Sequence, residues 1–385
     1  METSKGIFPT YNYNMPMNYN NNSLAMSISQ SSVMAPDESR FRSIIAIGNP
    51  IVDISAQIDK ESIQKYRLKW GETVFANQAN IGFFDELESK PEVSYIPGGS
   101  IQNTLRVCSW VLNMEPKNHG KYQLTMLGAA GKDKYRDKII NALNSTGVKN
   151  LIQEIPDKLT SRCGVGIYKR ERCLLPEIKA SNCLTKEFVS EHQNEIMVHD
   201  ALLIEGYFLQ EKFDICKELC MEFKKENKII ILTLSAVFMV QAHHDKIMEI
   251  AQDADMVIGN MEEFEAFVGG GQSKKDILEK GHKILSPKNR LFVATDGKNA
   301  AYVSSFNYKK GQLEFLLQSF PSLLKNEEIK DLNGAGDAFL GGFLSQYMKG
   351  KSLNYCCRTG NDASYVILQH IGCNFPKDKK FSFDY

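Results

Sequence analysis

The 385-residue sequence has no surplus charge of either sign: 46 Lys and Arg stand against 46 Asp and Glu. That balance supplies no overall field for holding nucleic acid or an anionic membrane surface, so neither partner is expected. No pair among the nine cysteines has C-x-x-C spacing, and the seven histidines do not gather near them. This excludes the common zinc patterns, and the odd cysteine count leaves at least one thiol unpaired, which points to a reducing compartment. Long hydrophobic runs are also lacking. The longest, residues 229–240 (IIILTLSAVFMV), falls short of the ~20 residues a bilayer span needs. The N-terminus has no charged-then-apolar leader, so a soluble, cytoplasmic protein is expected. Finally, no G-x-x-x-x-G-K-[ST] loop occurs. Residues 269–274 (GGGQSK) have its composition without its spacing and read as a loop between helices.

What is present centres on residues 331–343, DLNGAGDAFLGGF. The turn Gly334-Ala335-Gly336 runs into a helical pattern that offers Phe339, Leu340 and Phe343 for burial. Glycines permit a tight turn and close approach. The N–H groups that open a helix lack partners within it, so turn and helix together make an anion site. Asp337 stands inside that site. It either caps the helix, as a first-turn acid can, or takes a proton from something bound there.

Elsewhere the chain divides by composition. Residues 1–39 are rich in Asn and Ser without apolar periodicity, and are expected to be a disordered extension. From Phe41 onward, apolar runs such as SIIAI, ALLIEG, IIILTL, MVIG and LFVA alternate with amphipathic stretches. That rhythm predicts a parallel sheet covered on both faces. The first run ends at Gly48-Asn49-Pro50, with Asp53 just beyond, where α/β proteins place ligand contacts. Between residues 57 and 97, Trp70, Phe75, Phe83 and Phe84 read as exposed aromatics. Gly98-Gly99-Ser100 then opens a helix carrying Asn103 one turn in, and Asn260 and Glu263 follow another strand as either caps or ligands.

The run NGAGDAFLGGFLSQ resembles the signature of the PfkB (ribokinase-like) carbohydrate and nucleoside kinases, in its adenosine-phosphorylating form. It departs at Leu332, where the family usually has Thr. GNPIVDISA, GGSIQN, T-x-x-C-x-x-x-I-x-x-x-x-R (Thr160, Cys163, Ile167, Arg172) and GCNFP follow the family's pattern in the family's order. The resemblance implies a ribokinase-like α/β fold, with a doubly wound, mostly parallel sheet and a small α/β lid. It would occupy residues 40–385, with lid segments at about 51–99 and 157–180 inserted.

The resemblance further implies transfer of the γ-phosphoryl of ATP to the 5′-hydroxyl of adenosine. Asp337 would be the general base and Gly334, Ala335 and Gly336 the anion hole, with Arg172 steering phosphate. Nucleoside contacts would come from Asn49, Ile51, Asp53, Phe75, Gly98, Gly99, Ser100, Asn103, Cys163 and Phe208. ATP contacts would come from Asn260, Glu263, Thr295, Gly297, Asn333 and Asn361, with Mg²⁺ held near Glu263 through water. A monomer binding only these small molecules is expected. A kinase for another nucleoside or a sugar, or a catalytically silent nucleoside-binding regulator, are the alternative readings.

Overall fold

In the computed structural model the described residues are 39–376, apart from 72, 169–170, 321–323 and 326–327. The expected extension at 1–39 lies, but for its last residue, outside them. The strands in chain order are β1 (Ser43–Ile47), β2 (Ile51–Gln57), β3 (Ser94–Gly98), β4 (Gln123–Gly131), β5 (Lys149–Ile155), β6 (Arg162–Tyr168) and β7 (Glu171–Glu177). They continue as β8 (Ala201–Glu205), β9 (Ile229–Thr233), β10 (Met256–Asn260), β11 (Leu291–Thr295), β12 (Ala301–Asn307) and β13 (Gln312–Ser319).

Nine of these form one sheet in the order β13-β12-β11-β10-β9-β8-β1-β4-β5. Its pairings from β11 to β5 are parallel, and β12 and β13 add an antiparallel edge. Parallel strands need crossover connections, and helices supply them on both faces. Strand β1 shows the result residue by residue. Ile44 and Ala46 enter one core cluster, while Ile45 and Ile47 enter the other. A strand buried on both sides has no polar face, which is why SIIAI reads as a continuous apolar run. Each fully buried Ile contributes about 1.5–3 kcal/mol.

The remaining four strands form a separate sheet, β3-β2-β6-β7, in which β2 and β6 run parallel and the outer pairs antiparallel. Phe83 and Phe84 are fully buried against this sheet, not exposed as the sequence suggests. They open the helix Phe83–Glu88, where Leu87 joins them on one apolar face, and Phe83 lies against Gly164 and Gly166 of β6. Phe75, in contrast, is 49% exposed. The glycine-rich residues 269–271 do connect two helices, Met261–Val268 and Lys274–Ile284. Among the described residues no helix is long and apolar enough to cross a membrane. All nine cysteines are free thiols.

The strand order reverses beside β1, which has β8 on one side and β4 on the other. In open α/β sheets the crevice outside the carboxyl ends of the strands at such a point receives ligands. The turn after β1 and the end of β8 both lie there, and β2 carries the chain from that turn into the smaller sheet.

Candidate active site

The helix Ala335–Met348 begins at Gly334, whose φ of 77° puts it in the left-handed region that glycine adopts without strain. A side chain there would also collide with Cys373, 2.9 Å from its Cβ. Among the described residues no side chain caps this helix, so the N–H groups of the turn stay available. Asp337 in particular does not cap it. Its Oδ1 accepts from the Ser100 hydroxyl at 2.7 Å and its Oδ2 from Asn103 Nδ2 at 3.0 Å. Both donors sit in the first turn of the helix Ser100–Asn113, which Gly99 opens with φ 85°. The glycine turn and the G-G-S-x-x-N stretch, some 230 residues apart in sequence, therefore meet on one carboxylate. Burial raises the Asp337 carboxyl above the usual range, and the two donors oppose that shift.

A cleft of about 310 Å³ opens beside this junction. Asn49, Ile51, Asp53, Gly99, Ser100 and Cys163 line it, together with Phe75, Tyr207, Phe238 and Met239. Phe75 and Phe238 meet edge-on with centroids 6.1 Å apart, and Tyr207 lies 6.0 Å from Phe238. Phe208, expected on the wall, is instead fully buried in the core. The short 3-10 turn Gly206–Phe208 directs Tyr207 to the cleft and its neighbour inward. Gly98 belongs to β3, opposite Ile51 across the small sheet. Asn182, in the stretch after β7, also reaches the wall.

The electrostatics around the cleft are dominated by acids. Burial, reinforced by Asp331 and Asp337, pushes Asp53 up to about 7, with Arg172 opposing. Arg172 lies on β7 and its Nε donates to Asp331 Oδ1 at 2.9 Å. Asp331 also accepts from the backbone N–H of Asn333 and of Gly372. Sequence reading singled out Arg172 and Asn333 but gave Asp331 no role of its own. It missed Glu205 as well, which is 1% exposed and lines the cleft. The signal was present, since Glu205 is the lone acid ending an apolar strand at the carboxyl edge of the sheet.

The expected ATP residues occupy neighbouring strand ends and helices. Asn260 and Thr295 are register partners at the ends of β10 and β11. Asn260 and Glu263 form a reciprocal cap: Glu263 N–H donates to Asn260 Oδ1 at 2.8 Å, and Asn260 N–H and Nδ2 donate to the two carboxylate oxygens of Glu263 at 3.0 and 2.7 Å. Gly297 follows in the turn after β11, where Asp296 pairs with Lys274. Asn361 donates to the Phe320 carbonyl at 3.2 Å, and Ser364 to the Ala335 carbonyl at 2.7 Å. The helix Leu353–Ile367 thus rests on the glycine turn.

No cluster of three or more His, Cys, Asp or Glu side chains suited to a metal is found among the described residues. Glu263 is buried, a setting that pushes its carboxyl up to about 7, and both its oxygens are already engaged by Asn260. With both oxygens engaged in the cap, Glu263 suits contact with an ion through water better than a direct bond.

The model of the pfkB family of carbohydrate kinases matches residues 65–380. Adenosine kinase 2 of Arabidopsis thaliana is 30% identical over 349 residues, covering 88% of this chain and 97% of that protein. Adenosine kinase of Saccharomyces cerevisiae is 28% identical, covering 87% and 97%. Among solved structures, Anopheles gambiae adenosine kinase in complex with P1,P4-di(adenosine-5) tetraphosphate superimposes with a TM-score of 0.76 at 26% identity, covering 86% of this chain and 98% of that one.

Proposed function

The chain belongs to the pfkB family of carbohydrate kinases, and on that premise we propose that it transfers the γ-phosphoryl group of ATP to the 5′-hydroxyl of adenosine, giving AMP and ADP. The observation that carries this reading is the placing of Asp337. It stands at the head of a glycine-turn helix with no side-chain cap among the described residues, bonded to Ser100 and Asn103, beside a cleft whose lining includes both carboxylates and aromatic rings.

Phosphoryl transfer asks for positioning and charge neutralisation more than for covalent chemistry. Asp53 accepts the ribose hydroxyls, and Asn103 and Gly99 hold the sugar so that its 5′-oxygen faces Asp337. The N–H groups of Gly334, Ala335 and Gly336 receive the charge that builds on the transferred group. Arg172 adds its charge from β7, and Asp337 takes the hydroxyl proton. Asn260, Glu263, Thr295, Gly297, Asn333 and Asn361 border the ATP side. Glu263 would hold Mg²⁺ through water when ATP is bound, and the ion would supply positive charge to the phosphates. The small sheet acts as a lid that excludes water, a competing acceptor, as it closes.

Phe75, Tyr207 and Phe238 favour a nucleobase over a bare sugar, because ring faces gain by stacking on a base and a sugar would leave them uncovered. Nine free thiols suit a cytoplasmic enzyme. The test is ADP release with adenosine, inosine, guanosine and ribose as acceptors. Adenosine is expected to be used with the highest kcat/KM. Turnover of ribose at a comparable kcat/KM, or of none of the four, would reject the proposal.

A further inference from the structure

Glu205 is a buried carboxylate that the transfer reaction does not use. Among the described residues no Lys, Arg or His stands within ion-pair distance of it. A buried charge without a cation is costly unless several hydrogen bonds support it. Its Oε2 accepts from the Asn49 backbone N–H at 2.8 Å and from Asn49 Nδ2 at 3.3 Å. The Ile101 N–H also favours its charged form. Gly48 leaves the room for this: a Cβ there would lie 2.6 Å from Glu205 Oε2 and 3.0 Å from the Ile101 side chain. The Asn49 carbonyl in turn lies against Gly99, where a Cβ would approach it to 2.4 Å. One acid on β8 thus touches the turn after β1 and the start of the helix that bonds Asp337.

We propose that Glu205 is a positioning residue for the nucleoside, its carboxylate tying the Gly48-Asn49-Pro50 turn to the first turn of the Ser100–Asn113 helix so that Asn49, Asp53, Ser100 and Asn103 keep one common geometry. This rests on the nucleoside reading of the cleft. An apolar side chain would fill the same floor without the cost of a charge, but would leave the Asn49 amide and two backbone donors without a common acceptor. The grip is strongest while Glu205 is ionised, because charge strengthens its bonds to the N–H donors. Burial pushes its carboxyl up to about 7 and Asp337 adds to this, while the N–H donors oppose it. The other ionisable groups facing it are Tyr207 at the end of its own strand and Cys216 from the helix Leu209–Lys225.

The experiment compares adenosine and ATP dissociation constants of the full chain and of Glu205→Gln between pH 5.5 and 8.5. Glutamine keeps the shape but is a neutral acceptor. At pH 8.5 it should bind adenosine about three- to tenfold more weakly than the unaltered chain, the difference between a charged and a neutral acceptor. The ratio should shrink toward one at pH 5.5, where both side chains are neutral. Asp53 also titrates in this range, but it is present in both proteins and cancels in the ratio. ATP affinity should stay within twofold. A ratio that does not change with pH, or an equal loss for ATP, would overturn the proposal. Should Glu205→Gln not fold, Glu205→Asp keeps a titrating carboxylate one methylene short. Weakened adenosine binding with intact ATP binding then supports the proposal, and unchanged adenosine binding overturns it. If the unaltered chain binds ATP but no nucleoside, the nucleoside reading fails and this inference with it. If it binds adenosine and Glu205→Gln binds it equally at every pH, only the inference fails.

Discussion

Arg172 of the small sheet and Asp331 at the head of the glycine turn form an ion pair at 2.9 Å, and the Asp331 side chain is wholly buried. The pair fastens the small sheet to the segment that leads into the glycine turn. Arg172→Ala would leave Asp331 with only the Asn333 and Gly372 N–H donors. Breaking a buried pair by removing one partner costs about 3–5 kcal/mol, so Tm should fall markedly and kcat with it. A double variant, Arg172→Met with Asp331→Leu, should recover stability without recovering turnover. Thermal melts with steady-state kinetics on both variants check this. Recovered turnover would reduce Arg172 to a structural strut.

Asp337→Asn separates a base from a hydrogen-bond hub. Asparagine can still accept from Ser100 or Asn103 through one oxygen, so the fold should persist. It cannot take a proton, and general-base catalysis typically contributes ~10²–10⁴-fold. The expected result is a kcat lower by about that factor with adenosine and ATP still bound. Near-normal kcat would leave the proton acceptor unidentified.

Gly334 and Gly336 should respond differently to alanine. At Gly334 the positive φ and the Cys373 contact make Ala destabilising by at least about 1 kcal/mol. At Gly336 none of the described residues beyond its own helix lies within 4 Å of an added Cβ. Gly336→Ala should therefore melt like the parent, yet lose most of its turnover, because the methyl group stands in space the phosphate needs. Equal Tm and equal kcat would place the transferred phosphate elsewhere.

Asp53 gives a pH signature. Its folded value, about 7, lies above the ordinary 3.8, so the folded state holds a proton that the unfolded chain has released. Stability from this group is present at low pH and is lost as pH rises from about 4 through 7. Glu205 and Glu263, both near 7, act in the same direction. Asp53→Asn should flatten part of that slope and raise the Tm of the ligand-free protein at pH 8. At the same pH it should weaken adenosine binding about ten- to a hundredfold. A Tm unchanged at pH 8 would show that the Asp53 carboxylate is well solvated.

The strands of the large sheet were legible because burial on both faces leaves unbroken apolar runs. The antiparallel edge, β12 and β13, was not: QLEFLLQS on β13 mixes polar and apolar residues without strict alternation. The motifs that meet on Asp337 were legible as strings, but their meeting was not, since Ser100 and Asn103 carry no mark of a partner some 230 residues away. Phe208 was placed on the wall because two adjacent aromatics offer no clue to which faces inward, and a 3-10 turn decided it. Phe83 and Phe84 failed as exposed residues because a six-residue helix is too short to show its period. Glu205 and Asp331 escaped notice because an acid at a strand end and an acid before a glycine turn are ordinary surface residues in most chains.

The cleft draws its walls from Asn49, Ser100, Cys163, Tyr207 and Phe238, and Ser100 in turn bonds the carboxylate of Asp337. Every residue of the walls lies between Asn49 and Met239, whereas the glycine turn and Asp337 come only after the last strand, β13. A chain emerging from the ribosome therefore completes the sheet and the walls of the cleft before the helix that carries Asp337 exists. Until that helix arrives, Ser100 and Asn103 have no carboxylate to hold. A truncation just after β13 should keep the walls while losing the anion site.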